Sequence, residues 1–180
     1  SDRIMEQALT ASDFAEYLSD DEISKMAPLI DRLKTLEEQK TSQDNYLKFV
    51  KKIWPSFIEG KHHKIYADKL QKVADGKIKR LIVNMPPRHT KSEFASYLFP
   101  AWLMGKRPDL KIIQATHTAE LAVGFGRKVK NLIDSDDFRD IFPEIKLATD
   151  AKASGRWSTN GGGEYYAVGV GGALAGRGAD

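Results

Sequence analysis

Cysteine is absent from the 180 residues, so neither disulfides nor thiolate metal sites are available to this chain. Long apolar runs are absent too: nothing approaches the roughly 20 residues that a membrane-spanning helix requires. The first residues, Ser1-Asp2-Arg3-Ile4-Met5, lack the apolar core of a signal peptide. A soluble protein in an intracellular setting is therefore the expectation. Histidine is scarce, with 4 residues, and none has metal-ligand partners at suitable spacing; His62-His63 reads as helix surface rather than a zinc site. What is present is ordinary globular material, 41% hydrophobic and 29% charged, enough for one domain or one domain with a small appendage. The net charge of +3 hides an asymmetry, because residues 1–60 hold 8 Lys and Arg against 12 Asp and Glu, and residues 61–180 hold 20 against 13. The second part can attract polyanions, although many domains that never meet nucleic acid share such an excess.

The first 75 residues carry helical signals. Ser19-Asp20-Asp21-Glu22 has capping-box spacing, which predicts a helix start. Pro28 should interrupt that helix or begin the next, with Leu29, Ile30, Leu33 and Leu36 on one face. The polar run from Glu37 to Asp44 is the best linker candidate, dividing a helical extension over 1–45 from a domain over 46–180. Tyr46, Phe49, Val50 and Ile53 recur at helical spacing, as do Ile65, Tyr66, Leu70 and Val73 before Gly76.

Near residue 80 the pattern changes. Leu81-Ile82-Val83 reads as a strand buried on both faces, ended by Pro86-Pro87. A helix is expected from about Lys91 to Leu103, stopped by Gly105 and Pro108, then a strand over 110–115. Thr118 can cap a further helix reaching about Ile133. This β-α-β-α order argues for an α/β fold with a mainly parallel sheet and flanking helices, ligands sitting at the carboxyl ends of the strands. The last thirty residues hold 9 of the 14 glycines. There Asn160-Gly161 suits a hairpin turn between Arg156–Thr159 and Glu164–Val170.

Met85-Pro86-Pro87-Arg88-His89-Thr90-Lys91-Ser92 lies between the expected strand and helix, the setting of a phosphate-binding loop. A nucleoside triphosphate needs backbone amides and a helix N-terminus facing its phosphates, a lysine for the β and γ oxygens and a hydroxyl for magnesium. Lys91 and Ser92 are suited to the last two tasks. The common spelling is G-x-x-x-x-G-K-[ST], and here Met85 and Thr90 stand in the glycine places. A threonine makes the turn easily at negative φ and at a cost at positive φ. A plain capped helix would carry the same Lys-Ser pair.

Pro86-Pro87-Arg88-His89-Thr90-Lys91-Ser92-Glu93, after Leu81-Ile82-Val83-Asn84, resembles the Walker A segment of tailed-phage large terminases, often P-P-R-H-G-K-S, with Thr90 the one departure. Three other stretches resemble the same family: Trp54-Pro55 with His62-His63, Gln114-Ala115-Thr116-His117 with the helix through Arg127, and the glycine-rich run from Arg156 to Asp180. The likeness covers roughly residues 46–180. It implies a P-loop NTPase domain, preceded by a helical N-terminal segment, acting as an ATPase motor that moves double-stranded viral DNA into the procapsid in the host cytoplasm.

By the same resemblance ATP and Mg2+ are the cofactors. Lys91 and Arg88 carry the catalysis, Arg88 being equally suited to stabilise the γ-phosphate or to pair with Glu93. Pro87, Arg88, His89, Thr90, Lys91, Ser92, Glu93 and Gln114 hold the nucleotide, and Ser92 holds the metal. Implied partners are DNA through its phosphates, the portal protein, the small terminase subunit and further copies in a ring, with no membrane. Thr116 is a further site candidate. Trp54 and Phe57 suit either base stacking or the core, and Arg127 and Lys128 suit a solvated face. Arg177 could serve a neighbour's nucleotide. The Walker B acids, a pairing partner for Leu81–Val83 and the nuclease domain are expected past Asp180, so residues 1–180 alone should turn over ATP negligibly. Two other classes stay open: a helicase-like P-loop ATPase, or a docking module that does not bind nucleotide.

Overall fold

The computed structural model describes residues 19–149, 153–172 and 178–179; the expectations for Arg177 and Asp180 lie outside them. The chain divides into two units, one ending at Glu38 and one beginning at Gln39. Helix α1 spans Asp20–Asp44. Its start follows the capping expectation: the Glu22 amide donates to Ser19 Oγ at 3.4 Å and the Ser19 amide to Glu22 Oε2 at 2.9 Å. The Ser19 hydroxyl, donating to Glu22 Oε2 at 2.6 Å, and after it the Ser19 amide hold the Glu22 carboxyl below its ordinary pKa.

Pro28 does not break α1. A proline removes the hydrogen bond to the carbonyl four residues earlier, and both Ser24 and Pro28 are exposed, where water can take that carbonyl. The polar run over 37–44 is helical rather than a linker. Within the second unit, Gln39 and Gln43 both donate to the Ile141 carbonyl, at 3.3 and 2.6 Å, and Trp102 Nε1 donates to the Ser42 carbonyl at 3.1 Å.

Helices α2 (Tyr46–Ile53) and α3 (Lys61–Ala74) follow. In α2, Tyr46, Phe49 and Val50 are fully buried, as their spacing requires. In α3, Tyr66, Ala67 and Leu70 are buried, whereas Ile65 is 64% exposed and does not join the core. After the loop comes a π-helix over Glu93–Leu98, continued by α4 (Phe99–Lys106). The helix ends at Lys106, between Gly105 and Pro108 as expected, but Gly105 lies inside it. A Cβ there would sit 2.6 Å from the Phe142 ring, so this glycine serves close packing inside the helix.

Strand β1 (Lys111–Thr116), helices α5 (Ala119–Ile133) and α6 (Asp136–Ile141), and strands β2 (Arg156–Ser158) and β3 (Glu164–Gly169) complete the order. Thr118 caps α5 by accepting from the Leu121 amide at 3.2 Å. The short α6, which no spacing argument anticipated, is capped by Ser135. The sheet order is β1-β3-β2, with β1 and β3 parallel and β2 and β3 antiparallel. The fold is thus α/β with a small mixed sheet, not a mainly parallel one. The hairpin forms where expected, but its loop is five residues, 159–163, and its positive φ falls on Gly162 at 86°.

Leu81–Val83 is not a strand buried on both faces. It runs outside the sheet as an extended segment whose alternate residues Leu81, Val83 and Met85 pack on the core while Ile82 is 88% exposed. One face has a partner and the other has none, so the apolar run shows period-2 burial instead of full burial.

Helix α5 contains two glycines in different surroundings. A Cβ at Gly126 would meet the Ser154 carbonyl oxygen at 2.5 Å, and the Gly126 carbonyl accepts from Trp157 Nε1 at 3.2 Å. A Cβ at Gly124 would meet nothing within 4 Å. Alanine improves a helix interior by about 0.8–1 kcal/mol over glycine, whereas overpacking costs about 1–3 kcal/mol. Gly124→Ala should therefore raise the melting temperature and Gly126→Ala should lower it, with thermal denaturation of the two variants as the check; the same sign for both would show that the hairpin does not press on α5.

Candidate phosphate-binding loop

The loop over 86–90 leaves the extended segment and enters the helix at Lys91. Two of its residues adopt left-handed backbone conformations although neither is glycine: Arg88 at φ 62° and Thr90 at φ 60°. Asparagine, aspartate and glycine visit this region readily, but a β-branched threonine there is a true outlier. Left-handed residues alternating with others in a short loop turn successive amides toward one side, the geometry of an anion-binding nest. Lys91 and Ser92 lie exposed at the helix start. Lys91 makes no ion pair among the described residues, and the Ser92 hydroxyl makes no capping bond.

Thr90 is held by its side chain. Its hydroxyl lies 2.8 Å from His63 Nε2 and donates to the His89 carbonyl at 2.6 Å. His63 in turn accepts from the Gly60 amide through Nδ1 at 2.9 Å. A neutral imidazole has one donor and one acceptor, so Nδ1 as acceptor makes Nε2–H the donor to Thr90. His63 therefore occupies the third position of α3 and reaches back to the amide before the helix, as a glutamate does in a capping box. It is 7% exposed, not the helix-surface residue its sequence suggests. Burial first, then His62 and His89, depress its pKa below the ordinary histidine value, against an opposing pull from Glu59. The His62 ring is tilted against it, with 3.8 Å between ring centroids, and lies 5.9 Å from the His89 ring. No group of three or more potential ligands among the described residues is arranged to hold a metal ion on protein side chains alone.

The helix behind the loop is fixed from below by two tyrosines. Tyr66 Oη donates to the Lys91 carbonyl at 3.2 Å, and Tyr46 Oη donates to the Phe94 carbonyl at 2.7 Å. Burial pushes the Tyr66 hydroxyl up to about 12 and raises that of Tyr46 well above its ordinary value. The Phe94 carbonyl also accepts from the Phe99 amide, five residues on. That wider turn is what makes the segment π-helical.

Arg88 does not pair with Glu93. Glu93 instead binds Lys128 of α5 at 3.2 Å, and the Lys128 ammonium sits 5.8 Å from the centroids of Tyr97 and Phe125; Arg127 and Lys128 both lie on an exposed face of α5, as expected. Pro87, Arg88 and His89 are exposed, with His89 Nδ1 donating to the Pro87 carbonyl at 2.9 Å. Gln114 lies in mid-β1 opposite Ala167 and makes no hydrogen bond to the loop among the described residues. Thr116 ends β1 and donates to the Thr118 carbonyl at 2.7 Å. Trp54 and Phe57 pack against the core, Phe57 lying 4.7 Å from the His63 ring and 5.5 Å from Phe94. Two cavities, about 360 Å³ beside Gln43 and Phe142 and about 250 Å³ beside Lys48 and Gln71, are lined by no loop residue.

His63, Tyr66 and Tyr46 are the site's supports that spacing alone did not identify. The available signal was a glycine followed three residues later by a side chain able to accept, Gly60 and His63. Tyr46→Phe should cost about 0.5–1.5 kcal/mol of stability, the net worth of one hydrogen bond to a carbonyl that keeps the Phe99 amide; a urea melt within experimental error of wild type would remove the hydroxyl from the helix's support. Comparisons with protein-family models, with curated proteins and with solved structures found no match for this chain.

Proposed function

We propose that residues 86–92 form the phosphate-binding loop of a P-loop ATPase, and that the chain is part of a DNA-translocating motor of the large-terminase kind. The observation that carries this reading is the left-handed backbone of Thr90. Where the common spelling of such loops demands glycine, this chain has a threonine in glycine's conformation, directly before an exposed Lys-Ser pair that opens a helix. A capped helix start with no ligand has no need of that strained residue.

In this reading the amides from about Arg88 to Ser92 face the phosphates, whose charge the helix N-terminus favours. Lys91 neutralises the β and γ oxygens. Ser92, at the helix start, would hold magnesium with its hydroxyl, and the ion would supply positive charge against the phosphate. Arg88, exposed and not paired with Glu93, is free to reach the γ-phosphoryl oxygens. Catalysis by such a loop is positioning plus electrostatic stabilisation, for which a rigid support matters more than covalent chemistry. The Tyr66, Tyr46 and His63 contacts supply that support. The excess of Lys and Arg over residues 61–180 suits contact with DNA phosphates, as a motor indifferent to sequence requires.

The test is calorimetric titration with magnesium and a non-hydrolysable ATP analogue. Lys91→Ala should weaken binding about ten- to hundredfold, the worth of a charge-assisted contact, while leaving the thermal melt unchanged. Thr90→Gly should bind at least as tightly as wild type, because glycine takes φ near 60° without strain. Equal affinity of wild type and Lys91→Ala would remove the lysine from the site, and a nucleotide crystallographically bound elsewhere would end the loop assignment.

A further inference from the structure

Thr90 poses a problem that glycine would not. A β-branched residue at φ 60° is strained, and an unliganded loop could relieve this by turning to negative φ and losing its nest. The surroundings of the hydroxyl show what opposes that relaxation. Thr90 Oγ1 receives Nε2–H of His63 at 2.8 Å and passes its own proton to the His89 carbonyl at 2.6 Å. His63 is itself immobilised, by the Gly60 amide at Nδ1 and by the Phe94 and Phe57 rings, whose centroids lie 5.4 and 4.7 Å from its own. The chain of donors runs in one direction from Gly60 N–H through the imidazole and the hydroxyl to a loop carbonyl.

We infer that His63 is a positioning residue for this loop: its Nε2–H, acting through the Thr90 hydroxyl, holds Thr90 left-handed and so keeps the loop amides set for phosphate. The inference rests on the phosphate-site reading above and adds to it a dependence that a glycine-bearing loop would lack. His63 need not touch nucleotide. Threonine at residue 90 and histidine at residue 63 act as a pair, in which the side chain that makes the backbone strained is also the handle that fixes it.

The arrangement has a sign with respect to proton concentration. Only neutral His63 can accept at Nδ1, so protonation sets two N–H groups against each other and breaks the chain. Because the folded-state pKa of His63 is depressed, the clamp is intact above the ordinary histidine pKa of about 6.5 and is lost as pH falls through the lower folded value. The ionisable groups facing it are His62 on its own helix, His89 on the loop, and Glu59, which is bound to Lys51 and Lys64.

A double-mutant cycle tests the pair, read as affinity for the magnesium complex of a non-hydrolysable ATP analogue. In the wild-type background His63→Ala and His63→Asn should weaken binding about three- to tenfold, the worth of one hydrogen bond. His63→Gln, whose amide nitrogen falls near the place of Nε2, should restore most of it. In a Thr90→Gly background all three should change affinity less than about twofold. Thr90→Val, which keeps the branch and loses the hydroxyl, should resemble His63→Ala and is independent of any packing loss at residue 63. Lowering pH from above 6.5 through the depressed folded pKa of His63 should weaken wild type more than Thr90→Gly, with His62 and His89 common to both.

Without nucleotide, nitrogen NMR should find His63 protonated on Nε2 in wild type, with that resonance shifting in Thr90→Val. Equal losses for His63→Ala in both backgrounds, or an Nδ1–H tautomer, would overturn the inference while leaving the phosphate site standing. Absence of any nucleotide binding by wild type would instead bring down the phosphate-site reading, and this inference with it.

Discussion

The Phe94 ring is the fixed point of the second unit. It is fully buried and meets rings from three other segments: Tyr46 of α2 edge-on at 5.8 Å, Phe57 of the connection at 5.5 Å, and His63 and Tyr66 of α3 stacked at 5.4 and 5.7 Å. Aromatic contacts of this kind add about 0.5–1.5 kcal/mol each to the burial itself. Because Phe94 lies one turn after the loop, every contact it makes also fixes the loop. Its amide closes on the Thr90 carbonyl at 2.9 Å, and its own carbonyl takes the Tyr46 hydroxyl.

That placement explains the local irregularities. A π-turn is less favourable than an α-turn and persists where side chains reward it; here the extra room at the Phe94 carbonyl is used by a tyrosine hydroxyl. Likewise a threonine at φ 60° persists because the structure over-determines it, with His63 on one side and the His89 carbonyl on the other. Strain at the loop and aromatic packing beneath it belong to one arrangement, since the histidine that bonds Thr90 is the one stacked on Phe94. If the loop holds phosphate, as proposed, its preorganisation comes from helices α2 and α3 more than from the sheet.

The sheet contributes less to the loop than the β-α-β-α reading implied. Leu81, Val83 and Met85 contact the core without hydrogen-bonding to β1, β2 or β3, so the segment leading into the loop is positioned by side-chain packing on one face. Elsewhere the sheet is tied tightly through glycines: Gly163 donates its amide to the Pro108 carbonyl at 2.8 Å, where a Cβ would lie 2.4 Å from the same oxygen.

Sequence by itself determined the elements whose signals are local. The Ser19-Glu22 cap, the buried face of Tyr46, Phe49 and Val50, the Thr118 cap and the β2–β3 pairing all follow from spacing and side-chain chemistry within a few residues, and so does the position of the Lys91-Ser92 pair at a helix start. Tertiary structure decided what depends on distant partners. Whether Pro28 could stay inside a helix turned on exposure, and whether Gly105 ended one turned on Phe142. The apolar run Leu81–Val83 is identical in spelling whether one face or two are covered, so its neighbours had to be known. His63 reads as surface until Phe94, Gly60 and Thr90 surround it, and the spelling leaves the sign of φ at Thr90 open until its bond to a histidine 27 positions earlier is known. Local pattern sets which conformations a segment can adopt at low cost; a costly one, such as left-handed threonine, is selected only by contacts that no short window of sequence contains.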